Sequence, residues 1–345
     1  MSSLDKSTCD KFGDGIGKRV SVSTSNKKES TSCERKVDDC KHDATSDNNS
    51  SNCNSDIDTV AEGINRVNIS NDNDTGGSNN DGSLFMSDEL LFQDPPPKED
   101  CPICMLPMPF ASGVCKVKKT YMPCCGKVLC EGCVFASNKE VVKGNLKSWC
   151  SLCRVPLPTS IKNTESYERR MKLNDARAFH SLGDIYWAGN KGLPKNSKKA
   201  FELFKQAAKL GSTDGHSSLA TAYLSGDNAN QHAGKAIQQF ELAAVGGHET
   251  ARHKLGLLEK CRGNMCRAMK HFMIAARSGY DESLKKVGEG YKAGHVTKED
   301  YASTLREYQY SVDEMKSEGR TKSIEFYDAT ISSGLYDLVI KSISG

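Results

Sequence analysis

A chain of 345 residues with 37% apolar composition and a mean hydropathy of −0.57 is long enough for two domains, yet too polar to be packed throughout. Its 47 basic and 44 acidic residues leave a formal charge of only +3, which excludes bulk electrostatic attraction to nucleic acid or to an anionic membrane. The sequence does not open on a basic stretch with an apolar core, and no run approaches the roughly 18 apolar residues of a spanning helix, so no membrane partner is expected and a cytoplasmic or nuclear protein is. In that setting, cysteines paired as Cys-x-x-Cys point to metal rather than to disulfides.

In residues 1–83, Ser, Asn and Asp make up 38 of 83 positions and Phe12 is the only aromatic. Such a segment buries too little apolar surface to offset its ordering entropy, and a disordered tail is expected. The cysteines within it (Cys9, Cys33, Cys40, Cys53) lack Cys-x-x-Cys spacing and read as bystanders. Residues 84–97 form a linker in which Leu84, Phe85, Met86, Leu90, Leu91 and Phe92 precede Pro95-Pro96-Pro97. This cluster has the character of a docking peptide for a partner's groove, and it is expected to pack on the finger that follows.

That finger, residues 98–158, reads Cys101-Pro-Ile-Cys104, then Cys124-Cys125-Gly-Lys-Val-Leu-Cys130-Glu-Gly-Cys133, then Cys150-Ser-Leu-Cys153. Structural zinc takes a closed tetrahedral shell of thiolates, and eight cysteines supply two such shells, so two zinc ions are expected. The window contains no histidine, so the ligand set is all-cysteine. A domain this small depends on its metal to fold. Gly126 suits a tight turn, Val128 and Leu129 a short hairpin, and the run from Glu131 to Lys143 a helix carrying Phe135 and Val141 into the core.

The spacing resembles the RING family. The resemblance implies that the first and third pairs share one ion, giving Cys101, Cys104, Cys130 and Cys133. The second ion takes Cys150 and Cys153 with two ligands near Cys124, either Cys124 and Cys125 or a set that includes Cys115. The family's usual histidine falls at Lys127, and Leu152 stands where many members carry proline. The resemblance also implies a ubiquitin ligase without its own nucleophile. Ile103, Trp149 and Pro156 would then form an apolar patch for a ubiquitin-conjugating enzyme, and Arg154, just after the last ligand, would bridge that enzyme and its ubiquitin as the catalytic cation. A zinc-finger scaffold that binds proteins without promoting transfer is the alternative, and nucleic acid is not an expected partner.

A linker helix is expected over 159–173, followed over 174–320 by a repeating pattern. Leu182, Leu219, Leu255 and Val287 share one column, with the small residues Ala178, Gly215, Ala251 and Ser283 one helical turn earlier. Tyr186, Tyr223 and Tyr291 follow one turn later, with Glu259 as the exception, and Gly189, Gly226 and Gly294 mark the stop. A second helix in each unit carries Ala200, Phe204, Ala207, Ala208 and Gly211, then Ala236, Phe240, Ala243, Ala244 and Gly247, then Ala268, Phe272, Ala275, Ala276 and Gly279. A period of 32 to 36 residues means stacked helical hairpins. The pattern resembles the SEL-one-like repeats, relatives of the tetratricopeptide repeats, which implies an all-α solenoid presenting a platform to a protein substrate or adaptor. Residues 281–319 read as a degenerate unit and 321–345 as a C-terminal capping segment. The fold class expected is therefore multi-domain: disordered tail, small zinc-stabilised α+β finger, helical solenoid.

Overall fold

The computed structural model describes residues 86–109, 119–138, 149–156, 164–189, 192–225 and 232–332. The expected disordered tail, Leu84, Phe85, Cys115, Val141, Gly226 and the stretch 333–345 lie outside the described residues. The chain begins there with a single turn, α1 (Asp88–Leu91), and continues into a two-stranded antiparallel sheet of β1 (Lys119–Met122) and β2 (Lys127–Cys130). The register runs from Lys119 opposite Cys130 to Met122 opposite Lys127. Helix α2 (Glu131–Ser137) follows directly, and α3 (Glu165–Met171) leads to the repeats.

Among the described residues the repeats form four hairpins. These are α4 (Ala176–Ala188) with α5 (Ser197–Lys209), α6 (Thr213–Ser225) with α7 (Ala233–Val245), α8 (Glu249–Cys261) with α9 (Met265–Arg277), and α10 (Asp281–Lys292) with α11 (Lys298–Glu314). Two columns read from the sequence are buried throughout, Leu182, Leu219, Leu255 and Val287 and, one turn earlier, Ala178, Gly215, Ala251 and Ser283, whereas in the tyrosine column Tyr186 is buried, Tyr223 half-buried and Tyr291 exposed. Side-chain oxygens of Asp175, Asn196 and Thr297 accept from backbone N–H groups in the first turns of α4, α5 and α11 and so start those helices.

The Ala-Ala-x-x-Gly column ends the second helix of a hairpin and starts the next one. After α7, Gly247 adopts φ +88° and donates to the Ala244 carbonyl while His248 donates to that of Ala243; Gly211 and Gly279 repeat this after α5 and α9. Only glycine takes this left-handed position without strain, and the paired bonds satisfy helix-end carbonyls that would otherwise be orphaned. The alanines keep the neighbouring backbone close, Phe204 and Phe272 pack inside their own hairpins against Gly183 and Gly256, and Phe240 is buried in the cluster shared by the second and third hairpins.

Two elements depart from the sequence reading. The apolar cluster ending in Phe92 does not pack on the finger. Leu91 is fully buried among Leu224, Phe240, Leu255 and Leu258 of the repeats, with Met86 and Phe92 against the same cluster. The repeats offer it a large apolar seam, whereas the finger's own core is small and already closed around its sulfurs. Beyond the fourth hairpin, α12 (Glu318–Ser332) turns back onto the finger, where Ile324 packs on the finger core and Phe326 meets Phe135 with ring centroids 5.2 Å apart. No helix among the described residues is long and apolar enough to cross a membrane.

Candidate metal centre

The finger is built from a turn used twice. In Cys101-Pro-Ile-Cys104, the Cys101 N–H donates to the Leu106 carbonyl (2.9 Å) and the Met105 N–H to the Cys101 carbonyl (2.8 Å). In Cys150-Ser-Leu-Cys153, the Cys150 N–H donates to the Val155 carbonyl (2.9 Å) and the Arg154 N–H to the Cys150 carbonyl (3.0 Å). The residue after the second cysteine is left-handed in both, Met105 at φ 55° and Arg154 at φ 59°. Isolated bridges Asp100–Pro107 and Trp149–Pro156 close both turns at the same offset. The shared signature is Cys-x-x-Cys-x-x-Pro.

The other two pairs come from the hairpin. Cys124 and Cys125 sit in the β1–β2 turn, where the N–H groups of Cys125 and Gly126 both donate to the Met122 carbonyl and Gly126 takes φ +72°. Cys130 ends β2 and Cys133 lies in the first turn of α2. The consequence is two tetrads interleaved along the chain, Cys101, Cys104, Cys130 and Cys133 in one, and Cys124, Cys125, Cys150 and Cys153 in the other. Within each tetrad all four Sγ atoms lie within 4.8 Å of one another.

The spacing of those sulfurs tests what they fit. Four thiolates at the usual zinc–sulfur length stand at the corners of a tetrahedron with edges of about 3.8 Å, whereas a disulfide would bring two to about 2.05 Å. The Sγ–Sγ separations are 3.9 Å for Cys101–Cys133, 3.8 Å for Cys104–Cys130, 3.8 Å for Cys125–Cys150 and 3.4 Å for Cys124–Cys153. All eight are free thiols. Two tetrads of this kind can each hold a metal ion, and soft sulfur donors in a tetrahedral set suit zinc.

The electrostatics agree with a cation-binding role. Burial works to raise the Cys101 thiol, but N–H groups of Cys130, Cys104 and Ile103 bring it down to about 7. Cys150 likewise falls to about 7, with burial opposed by the N–H groups of Cys153 and Leu152. Burial and the neighbouring sulfurs push Cys124 and Cys133 up instead. One thiolate forms readily in each tetrad and makes the next harder to form, a repulsion that a divalent ion reverses.

Sequence reasoning missed Arg320. This α12 residue is almost wholly buried, and its Nη1 donates to the carbonyls of Pro107 (2.9 Å) and Met315 (2.7 Å). Its Nη2 reaches the Leu106 carbonyl (3.3 Å) and Cys104 Sγ (3.5 Å). Burial would lower the guanidinium, yet Cys130 and Cys104 hold it above its ordinary range. Close packing fixes the approach, since a Cβ on Gly132 would lie 2.9 Å from the Arg320 backbone. A lone arginine in a distant helix leaves no spacing signal. The duplicated Cys-x-x-Cys-x-x-Pro was visible, and it locates both left-handed positions.

The second tetrad faces the start of the repeats. Tyr121 Oη of β1 donates to Asp175 Oδ2 (2.8 Å), and Arg170 Nε reaches the same oxygen (3.1 Å) beside Gly126, where a side chain would collide with the guanidinium. Glu99 pairs with Arg177 on the other side of the finger entry. Away from these contacts, Ile103 (39%), Trp149 (44%), Pro156 and Arg154 are exposed, as are Met105, Leu152 and Val155. Phe135 is half-buried against α12.

No protein-family model matches this chain, and no curated protein matches it. Several solved structures are similar to part of it, three of which follow. One is c5321, a protective antigen of uropathogenic Escherichia coli with an SLR fold, 26% identical at a TM-score of 0.38 over 50% of this chain and 37% of that one. Another is a Sel1 repeat protein from Oxalobacter formigenes, 21% identical at a TM-score of 0.38 over 43% of this chain and 63% of that one. The third is the immunity protein Pa5087 of Pseudomonas aeruginosa, 17% identical at a TM-score of 0.33 over 55% and 78% of the two chains. The chain thus spans less than two thirds of the first two. The solenoid itself is read from this chain's own hairpins and buried columns.

Proposed function

We propose that this protein is a repeat scaffold for protein–protein contacts, with a two-zinc finger over 98–158 built onto a SEL-one-like solenoid over 174–320, working in the cytoplasm or nucleus. The observation that carries this reading is how the finger is seated. Its strand β1 is tied through Tyr121 to Asp175 at the head of α4, its first tetrad meets Arg320 of α12, and apolar side chains at both turn tips are left for a partner. Four thiolates per ion leave no open coordination position, so zinc here cross-links and does not activate a substrate.

A second reading is favoured by one specific observation, the interleaving of the tetrads together with exposed Ile103 and Trp149 in the two turns and exposed Arg154 directly after Cys153. This is the RING-type ubiquitin ligase. Ile103, Trp149 and Pro156 would seat a ubiquitin-conjugating enzyme, and the Arg154 guanidinium would bond carbonyls of that enzyme and its ubiquitin, restraining the thioester in a reactive pose. The left-handed backbone at Arg154 belongs to the turn, since Met105 shares it, so the side chain is free for such a role.

One experiment separates the two. The zinc-loaded full chain is added to charged ubiquitin-conjugating enzymes in single-turnover discharge, alongside Arg154→Ala. No acceleration from any enzyme supports the scaffold. Acceleration that Arg154→Ala abolishes replaces it with the ligase.

A further inference from the structure

The segment from Met86 to Lys98 lies along the repeats as a strap, and the groove beneath it is specific. Leu91 fills the apolar seam already described, and Phe92 covers His271 with ring centroids 4.7 Å apart while Arg267 and Lys270 each stand 5.3 Å from its ring. Arg252, only 2% exposed, donates from Nη1 to the Leu91 carbonyl (2.7 Å) and from Nη2 to the Ala244 carbonyl (2.8 Å). Glu241, itself buried, accepts from the Met86 N–H (3.2 Å). Asp88 pairs with Arg267, whose Nε is braced by Glu259 at 3.5 Å. Farther along, Pro96 lies against Gly247, and Lys98 Nζ donates to the Ser278 carbonyl (2.8 Å).

Three groove side chains of the third hairpin differ from their apolar or aromatic counterparts in the first. Glu259 stands in the tyrosine column, Arg252 aligns with Phe179 of the first hairpin, and His271 aligns with Leu203. The second hairpin is polar at the same two places, but there His216 and Gln239 bond each other at 2.7 Å, whereas in the third Arg252 bonds the Leu91 carbonyl and His271 lies under Phe92, so these side chains are turned to the strap. Arg252 and Glu241 address backbone groups that any peptide carries, the apolar seam and Phe92 site select a leucine and an aromatic, and Arg267 selects an acid before them. The strap buries only one side chain fully, with Leu90 41% exposed and Asp88 and Glu89 exposed. Once it leaves, Arg252 and Glu241 are buried without partners for the groups they now hold, so the empty groove demands an equivalent occupant.

We propose that this groove is a recognition site for a short segment of a partner protein that carries an acid three residues before a leucine and an aromatic directly after it, filled in this chain by its own strap, which the partner segment displaces. The proposal rests on the scaffold reading and names the partner's chemistry. A tethered strap competes at high effective concentration, so a partner gains access only when its segment is tighter or when the strap is drawn away.

The test uses a labelled synthetic peptide of residues 86–98 as the probe, added to the full chain and to full-length Leu91→Asp, whose strap cannot enter the seam. Leu91→Asp is expected to bind the peptide at least tenfold more tightly than the parent. An Asp88→Arg peptide should lose that binding and regain it on a chain that also carries Arg267→Glu. Absence of peptide binding to a folded Leu91→Asp chain overturns the proposal. So does a cooperative loss of helix in both Leu91→Asp and the milder Phe92→Ala, which makes the strap a fixed part of the core, or dimerisation by strap exchange, which makes a second copy the occupant. Ubiquitin discharge and zinc content report on the finger, so failure here and failure of the scaffold reading remain distinguishable.

Discussion

The turn from Cys101 to Pro107 and its counterpart from Cys150 to Pro156 bury little beyond their own sulfurs, whereas the hairpin of α6 and α7 buries Phe240, Leu219, Leu224, Ile237 and alanines at every crossing. Both regions repeat a short unit. In the finger the two copies belong to different tetrads, each completed by a cysteine pair that lies between them in the chain, so order rests on eight residues at fixed spacing and on the ion that each tetrad can hold. In the repeats the copies are joined through complementary surfaces, so order is spread over dozens of contacts and tolerates a changed column such as Glu259.

Removing the metal should expose this difference most strongly. Exhaustive chelation is expected to release two zinc ions per chain and unfold the finger, since structural zinc supplies on the order of 10 kcal/mol of folding free energy. Emission of Trp149 in a Trp187→Phe background would report the loss while circular dichroism retains the helices of the repeats. The reverse injury is Phe240→Ala, expected to cost about 3–5 kcal/mol in urea unfolding without changing zinc content.

Arg320 sharpens the comparison because it belongs to both regions. Arg320→Met should weaken zinc binding by up to about a hundredfold, roughly 2.7 kcal/mol, in competition with a chromophoric chelator. The smallest effect is acidic. Burial, with Arg252 and Arg267 nearby, lowers His271 to about 3, and burial lowers His253 to about 4. Both stay neutral when folded, while the unfolded chain takes up protons below pH 6.5. Their contribution is therefore complete above about pH 6.5 and is lost as pH falls toward 4, about 2 kcal/mol each at pH 5. Neither ring nitrogen of His271 meets a hydrogen-bond partner among the described residues, so His271→Leu should flatten the acid limb of the stability curve by that amount.

Both sets of repeated units were legible because each is tied to a local requirement. An Ala-Ala-x-x-Gly run states a helix end and a close approach at once, and a Cys-x-x-Cys pair states a sulfur separation. The strap's destination was not legible. Leu91 and Phe92 name an apolar surface without naming which one, and the finger was nearer in sequence than the seam of the repeats. Glu259 was visible as an exception, but its meaning depended on Asp88 and Arg267, far apart in the chain and adjacent in space. Arg320 gave no pattern at all.

The seating of the finger has a mechanical consequence. Helical arrays commonly melt inward from their termini, because a terminal unit has one neighbour instead of two. Here Tyr121 and Arg170 secure the first hairpin through Asp175, and Arg320 draws the segment after the last hairpin onto the same finger. The array is buckled like a belt, with the finger as the clasp, and fraying from either end must first open the buckle.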